Sequence, residues 1–314
     1  ITSYEPPSLT QIQTMAESAA FQLIRFGTST WTYEGWQGQV YLRKYSKTAF
    51  TRECLGEYCQ YLHEGQPLFR TVGNDSTFYR PPAANHLTHY LSQIPEDFHM
   101  CFKVWEELTI PVYAKHPRYG ARAGQVNPNF LNADAFNKLV LQPYRDAQFL
   151  PHTGPFLFEF QRHGMPAEEF VGKLDQFFAR LPTDFPYAVE IRNTGLLGPR
   201  YRDMLKAHGV AHVYTHWSYM PPLAEQHERL ETFTAPFTVL RLLTPLKMTY
   251  EAAKQRAQPY NKIVGELPEM RSDTVRLVRQ AMGQRIRAYV LVNNRAEGNA
   301  PSTIQALVDQ LHPR

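Results

Sequence analysis

The chain has 314 residues, of which 33 are basic and 29 acidic, giving a formal net charge of +4. Apolar residues make up 43% of it, enough to build a large core, which excludes a globally disordered chain. The three cysteines are too few for a disulfide framework and form no CxxC pair, which excludes a zinc ribbon and a thioredoxin-type redox site.

The predicted elements begin with an amphipathic helix in residues 1–22, which carries Ile12, Met15 and Ala19 on one side. Eight strand-like apolar runs follow, with helical patterns between most of them. These runs lie at residues 24–29, 69–74, 98–104, 156–160, 187–192, 210–214, 237–243 and 288–293. Strands that alternate with helices favour a parallel sheet.

Three helices stand out between and after these strands. The clearest covers residues 167–181, where Phe170, Leu174 and Phe177 belong to one apolar stripe with helical spacing. Two more are predicted at 270–282, which Gly283 would end, and at 301–311, which Pro301 would begin. The helical pattern is weakest at 214–237, where two prolines interrupt it.

The strand count and the chain length predict an α/β fold, a single (β/α)₈ TIM-type barrel with long strand-to-helix loops. A doubly wound open sheet is the main alternative. In the barrel interpretation residues 1–22 form an N-terminal helical extension, and residues 23–314 form the barrel domain. The active site of such a barrel lies at the carboxyl ends of its strands.

Strand alternation predicts a charged barrel interior. Every second side chain of a barrel strand points inward, and in the run at 156–160 the three phenylalanines share the helix-facing side. The charged positions that this parity turns inward are Lys103, Glu159, Glu190, Arg192 and Arg241. Because an unpaired buried ion costs several kcal/mol, these three cations and two carboxylates should pair with one another.

Four motifs occur in order along the chain. They are GTSTWTY at 27–33, STFYRP at 76–81, YAVEIR at 187–192, and Asn293-Asn294 followed by GNAP at 298–301. From about Phe26 to the C-terminus the chain thereby resembles the domain-of-unknown-function 72 family, also called YecE-like. The resemblance implies a single TIM-type barrel of cytoplasmic habit. Its similarity in outline to xylose-isomerase and AP-endonuclease barrels suggests sugar or sugar-phosphate ligands by analogy.

The sequence departs from the family pattern within the expected pocket. Gly73 stands where the family usually has glutamate, and Asp75 replaces an asparagine. Glu159 replaces glutamine, and Asn193 replaces histidine. Leu243 replaces a second histidine, and Thr244 replaces the glycine that follows it. The chain is therefore interpreted as a divergent member, in which one acid is lost and another gained.

The candidate site follows from these positions. We predict Glu190, Glu159 and Lys103 as catalytic residues. The predicted ligand-binding residues are Arg192, Arg241, Asn293, Trp31, Tyr79 and Asp75. A carboxylate can act as general acid or base, and arginine binds anionic groups, but the same charges could also be structural ion pairs.

No metal and no cofactor is predicted. A magnesium or manganese site would have to use Asp75, Glu159, Glu190 and His216, yet the two glutamates already face three interior cations. Glycine-rich phosphate loops of the GxGxxG and GxxxxGK[ST] types do not occur.

The predicted function is that of an enzyme acting on a small anionic, sugar-phosphate or phosphodiester-like ligand at the barrel mouth. The alternative is a non-catalytic barrel that binds a ligand or partner and whose ion pairs hold structure. The basic segment 115–122 is either a solvated loop or a lid that contacts phosphate or nucleic acid. No apolar run reaches the roughly 20 residues of a membrane span, so we expect no membrane partner and a cytoplasmic location.

Overall fold

Eight parallel strands form the centre of the computed structural model, which describes residues 6–312, apart from the side chains of residues 16 and 17. All eight predicted strands are present, with ends shifted by a few residues. Their bounds are β1 Ile24–Thr28, β2 Thr71–Asn74, β3 His99–Lys103, β4 Thr153–Phe160, β5 Tyr187–Ile191, β6 Ala211–His216, β7 Phe237–Leu242 and β8 Arg287–Val292.

The strands pair in the order β1-β8-β7-β6-β5-β4-β3-β2, and every pair is parallel. The two ends of this sheet meet, because the Arg70 amide just before β2 donates to the carbonyl of Phe26 in β1 at 2.9 Å. The sheet is therefore a nearly closed barrel, which confirms the (β/α)₈ prediction and rules out the open-sheet alternative.

Two glycines permit the close approach of β1 and β2. A Cβ on Gly27 would lie 2.0 Å from the carbonyl oxygen of Thr71, and one on Gly73 would lie 2.5 Å from that of Ser29. Backbone atoms cannot yield to such contacts as a flexible side chain can, so the seam of the barrel requires glycine at both positions.

Helices surround the barrel. Those of eight or more residues are Leu9–Phe21, Lys47–Cys59, Ala84–Leu91, Ala167–Ala179, Pro199–His208, Leu223–Leu230, Tyr250–Ala257, Pro268–Gly283 and Ala300–Leu311. A continuous segment of α and π turns covers Ala133–Ala135, Phe136–Leu141 and Gln142–Asp146. Asn294–Glu297 forms one short helical turn. A small hairpin pairs Leu62–His63 with Gln66–Pro67. Within residues 6–312, no helix combines the length and apolar character that a membrane crossing requires.

The helix predictions hold with small shifts. Ser8 caps the N-terminal helix, because its side chain accepts a hydrogen bond from the Gln11 amide. Residues 1–5 of the predicted extension lie outside the described residues. In the weakly patterned stretch, the helix Leu223–Leu230 begins directly after Pro222. The buried Gln226 amide secures this helix by donating to the carbonyls of Thr215 and Pro221, each at 2.9 Å.

Two separate apolar clusters confirm the predicted strand parity. Cys101, Leu157 and Ala188 lie inside the barrel with apolar residues of β6, β7 and β8. The phenylalanines of β4 instead pack between the strands and the helices. The inside of the barrel thus contains an apolar layer, which includes one large side chain, that of Tyr289.

Candidate functional site

Five charged side chains gather inside the barrel at the carboxyl ends of the strands: Lys103, Glu159, Glu190, Arg192 and Arg241, called here the interior charge cluster. All five were predicted to face inward. Parallel strands bring these ends to one rim of the barrel, so residues distant in sequence become neighbours.

Glu190 is the centre of the cluster and is fully buried. Its Oε2 accepts from Arg241 Nη1 at 2.5 Å, and its Oε1 lies 2.5 Å from Arg192 Nη2 without the alignment of a hydrogen bond. Each carboxylate oxygen therefore faces a different guanidinium, which offsets much of the cost of burying the charge.

Glu159 neighbours Glu190 in the register of β4 and β5. Its Oε2 lies 3.0 Å from both Lys103 Nζ and Arg241 Nη1, and its Oε1 accepts from Gln161 Nε2 at 2.6 Å. Burial alone would raise the pKa of Glu159, but Lys103, Arg192 and Arg241 outweigh it and hold the pKa well below the usual range. Glu159 is consequently a carboxylate at neutral pH.

Arg241 joins both acids and reaches toward the rim. Burial would lower its pKa, yet Glu190, Glu159 and Asp75 together raise the pKa above its ordinary value. Asp75, predicted as a ligand-binding residue, lies 3.7 Å from Arg241 Nη2 and remains partly exposed. Of the five members of the interior charge cluster, three are positive and two negative, and Asp75 is a nearby acid that is partly exposed.

Arg192 is the member of the cluster with two unpartnered donors, and Arg241 Nε also has no hydrogen-bond partner. Arg192 is buried, its guanidinium carbon lies 4.3 Å from the ring centroid of Trp217, and its Nε and Nη1 have no hydrogen-bond partner. A cavity of about 360 Å³, lined also by Arg162, Asn193 and Tyr219, opens at this side chain. Buried donors without acceptors are costly, so this is a place where a ligand oxygen would be stabilised.

Lys103 lies at the other side of the cluster. Its Nζ is 4.2 Å from the ring centroid of Phe78, and its side chain is 15% exposed, more than those of the two buried arginines. Phe78 and Gln161 also line a second, larger cavity of about 610 Å³. Lys103 is therefore the most accessible member of the interior charge cluster.

The other predicted ligand-binding residues have different surroundings. Trp31 is buried with its indole Nε1 unpartnered, and its ring meets Tyr90 edge-on at 5.6 Å. Tyr79 is exposed, with the Arg118 guanidinium 5.5 Å from its ring centroid. Asn293 caps the following turn, since its side chain accepts from the Arg295 amide at 2.9 Å.

The basic segment 115–122 folds back onto two acidic residues. Arg118 donates to Glu106, and Arg122 Nη1 donates to Glu107 Oε1 at 2.6 Å. The hydroxyl of Tyr119 also donates to Glu106, at 2.9 Å. Arg118 and Arg122, two cations of the predicted phosphate-contacting lid, are thus already paired with carboxylates of the same chain.

Three residues of the alternative metal site, Asp75, Glu159 and Glu190, gather around Arg241, but they do not converge to metal-ligand spacing. His216 is buried, and its Nδ1 lies 2.8 Å from the carbonyl oxygen of Thr244. In the part of the chain that the structure describes, the histidine and acidic side chains that converge to metal-ligand spacing are instead His63, Glu64 and Asp309, at the surface.

Comparison with known proteins supports the predicted resemblance. Residues 25–314 match the family described as Protein of unknown function DUF72. The chain belongs to the DUF72 family. No curated protein matches it.

Solved DUF72 structures share the fold of the chain. One, from Enterococcus faecalis V583, is 15% identical with a TM-score of 0.63 over 92% of this chain and 94% of that chain. Another, from Thermotoga maritima MSB8, is 20% identical with a TM-score of 0.59 over 92% of this chain and 98% of that chain. At these identities the similarity establishes the barrel alone.

Several motif residues support the fold of this DUF72 protein outside the charge cluster. The side-chain oxygen of Asn294 accepts from Trp36 Nε1 at 3.1 Å and from the Ala300 amide at 2.8 Å. Gly298 has a φ of 117°, and a Cβ there would lie 2.4 Å from the carbonyl oxygen of Lys262. Asn294 thus joins the loop after β8 to the loop after β1, and Gly298 lets the loop after β8 approach Lys262, in the segment between β7 and β8.

Sequence reasoning missed Trp217 and Gln161, which contact the interior charge cluster of this DUF72 protein. Gln161 comes two residues after Glu159. If the alternation of strand side chains is extended past the end of β4, it predicts that Gln161 points inward as Glu159 does. Trp217 directly follows β6, and its place over Arg192 is set by a loop, for which the sequence contains no periodic signal.

Proposed function

We propose that the protein is an enzyme that binds a small anionic ligand at the carboxyl-end mouth of its barrel. The observation that carries this proposal is Arg192, a buried guanidinium with two unpartnered nitrogens at the edge of a cavity. Phosphate and carboxylate groups are the natural acceptors for such a guanidinium, because hydrogen bonds between opposite charges are stronger than those between neutral groups.

The charge balance of the cluster supports an anionic rather than a cationic ligand. Lys103, Arg192 and Arg241 face two buried carboxylates, which leaves one positive charge in excess before the partly exposed Asp75 is counted. A divalent cation would add to that excess, whereas a phosphate monoester or a carboxylate would offset it.

The proposed roles follow from accessibility. Glu190 is enclosed by two guanidinium groups, so it positions Arg192 and Arg241 and does not touch the ligand. Lys103 and Glu159 are the proposed catalytic pair, because Lys103 is the most exposed member of the cluster and the ionised Glu159, 3.0 Å away, holds its ammonium group in place. A phosphorylated or sugar-like substrate would suit hydrolase, lyase or isomerase chemistry at this pair.

One observation favours a second candidate, the non-catalytic ligand-binding barrel. All five members of the interior charge cluster are paired with one another, an arrangement that also serves a purely structural role. The two candidates share anion binding at Arg192 and differ in turnover.

The test is isothermal titration calorimetry with inorganic phosphate on the wild type and on Arg192→Gln, with folding checked by circular dichroism. The matched control is Arg180→Gln, since Arg180 is exposed and pairs with Asp134 on the outer helical layer. We expect Arg192→Gln to weaken phosphate binding at least tenfold and Arg180→Gln to leave it unchanged. Equal affinity in all three proteins would contradict the proposal.

Turnover separates the two candidates. Release of p-nitrophenol from p-nitrophenyl phosphate and from its bis-ester would be followed in the wild type and in Lys103→Met. Turnover that disappears in Lys103→Met supports the enzyme. Phosphate binding that depends on Arg192 without turnover of either ester favours the non-catalytic barrel.

We also propose a reducing, cytoplasmic location. Cys54, Cys59 and Cys101 are all buried and free. Free thiols are typical of proteins that work where glutathione keeps cysteine reduced. Fractionation of the source cells with an antibody against the protein would test the location.

A further inference from the structure

The larger cavity has the surface of an apolar binding site. Its volume of about 610 Å³ lies in the range of pockets that bind drug-sized molecules. Among the residues that line it are Phe78, Ile110, Pro111, Val112, Tyr119 and Met165. An inorganic anion would leave this apolar wall in contact with water, so the wall indicates a ligand with an apolar part.

This cavity is connected to the interior charge cluster through two of its own lining residues. Phe78 lies under the ammonium group of Lys103, at 4.2 Å from ring centroid to Nζ. Gln161 donates to Glu159 Oε1 at 2.6 Å. A molecule in the cavity would thus be separated from the Lys103–Glu159 pair by single side chains.

The loop after β4 forms a wall common to both cavities. Arg162 and Met165 line the larger cavity and also the smaller one at Arg192. Asn193, next to Arg192, holds this loop by its side chain, which accepts from the His163 amide at 3.2 Å and donates to the His163 carbonyl at 3.0 Å. The position of the wall is therefore tied to the residue beside Arg192.

His163 lines the larger cavity and has an unpartnered ring nitrogen. Its Nδ1 accepts from the Met165 amide at 3.2 Å, which places the proton of a neutral imidazole on Nε2. That Nε2 is buried and has no partner. Burial also lowers the pKa of His163, which keeps the ring neutral at pH 7.

We propose that the ligand is amphipathic: its anionic group is held at Arg192, and an aromatic or similarly flat apolar body occupies the larger cavity, where His163 Nε2 donates to a polar atom of that body. This inference rests on the proposed anion site and adds the chemical class of the rest of the molecule. It requires that one ligand extends past the wall formed by Arg162 and Met165 and occupies both cavities.

The experiment compares inorganic phosphate with 1-naphthyl phosphate by calorimetry. The test variant is Ile110→Asn with Val112→Asn. The matched control is Val126→Asn, because Val126 is 76% exposed, bridges to Val112 across an antiparallel pair, and is absent from the cavity lining. The wild type should bind 1-naphthyl phosphate at least tenfold more tightly than phosphate. The double variant should reduce that ratio at least fivefold without changing phosphate binding, and Val126→Asn should preserve it.

The outcomes separate this inference from the proposed function. If phosphate binding depends on Arg192 but the wild type shows no preference for 1-naphthyl phosphate, or the double variant retains the preference, the inference is wrong and the anion site stands. If neither probe depends on Arg192, the proposed function itself is wrong. Should the double variant fail to fold, Val112→Asn alone serves, since Val112 is already 48% exposed. A crystal structure with 1-naphthyl phosphate bound must show the ring beside Val112; a ring elsewhere overturns the inference.

Discussion

The carboxylates of Glu159 and Glu190 lie on neighbouring strands in register, and the same nitrogen, Arg241 Nη1, contacts both, at 3.0 and 2.5 Å. Two adjacent buried carboxylates would repel each other strongly without a shared cation. Arg241 therefore allows both to remain charged inside the barrel. This triangle makes the cluster cooperative: removing one member leaves the others in an unfavourable environment.

Glu190→Gln should lower the free energy of unfolding by about 3 kcal/mol, because it leaves two buried guanidinium groups with one carboxylate fewer. Urea denaturation measures the change. The control is Glu168→Gln, whose side chain is 85% exposed and lies 3.5 Å from Arg200; its effect should stay within about 0.5 kcal/mol. Equal effects of the two substitutions would show that the cluster does not stabilise the barrel.

Stability should fall as the pH drops from about 6.5 to 4, because of His212. Burial lowers the pKa of His212 to about 4. Its Nδ1 lies 2.9 Å from the Tyr201 hydroxyl, and its Nε2 lies 3.1 Å from Gln226 Oε1. Between these pH values the unfolded chain binds the extra proton and the folded chain does not, which amounts to about 3 kcal/mol over the whole range.

The pH dependence is checked by urea denaturation at several pH values and by NMR titration of the His212 ring protons. His212→Gln should reduce the slope between pH 6.5 and 4, and other buried histidines should account for the rest, among them His99, whose pKa burial lowers to about 3. A ring that titrates near pH 6.5 would contradict the predicted environment.

Gly27→Ala should destabilise the barrel by at least about 3 kcal/mol, since its methyl group would lie 2.0 Å from a backbone carbonyl oxygen of the facing strand. Gly172→Ala is the matched control, in the helix Ala167–Ala179, where a Cβ meets no atom within 4 Å. Alanine there should raise stability by about 0.5–1 kcal/mol through helix propensity. Thermal unfolding of both variants tests the pair. Wild-type stability of Gly27→Ala would mean that β1 and β2 do not meet as described.

Strand periodicity predicted the barrel and the five members of its interior charge cluster, because side-chain parity in a buried strand is a strictly local property. Arg241 is an example: it occupies an otherwise apolar strand, so its only favourable direction was inward, toward opposite charges. The partners of each charge could not be predicted in the same way, since they depend on the register between strands far apart in sequence.

The loops were where sequence reasoning failed to place side chains. Arg118 and Arg122 belong to the basic segment 115–122, which was predicted as either a solvated loop or a lid. Their partners, Glu106 and Glu107, lie a dozen or more residues earlier in the chain. Asn293 was predicted as a ligand-binding residue at a strand end, and its side-chain oxygen also caps the next turn, a contact that the sequence did not indicate. Such contacts arise from tertiary folding of irregular segments, which have no repeating pattern in the sequence.

The most direct measurement is a crystal structure of the wild type soaked in tungstate, an anomalously scattering analogue of phosphate. The proposed function predicts a tungstate ion within hydrogen-bonding distance of Arg192 Nε or Nη1, in the cavity shared with Asn193 and Tyr219. Tungstate bound only at other surfaces, with the Arg192 guanidinium left without an anion at saturating concentration, would contradict the anion site on which the proposed function depends.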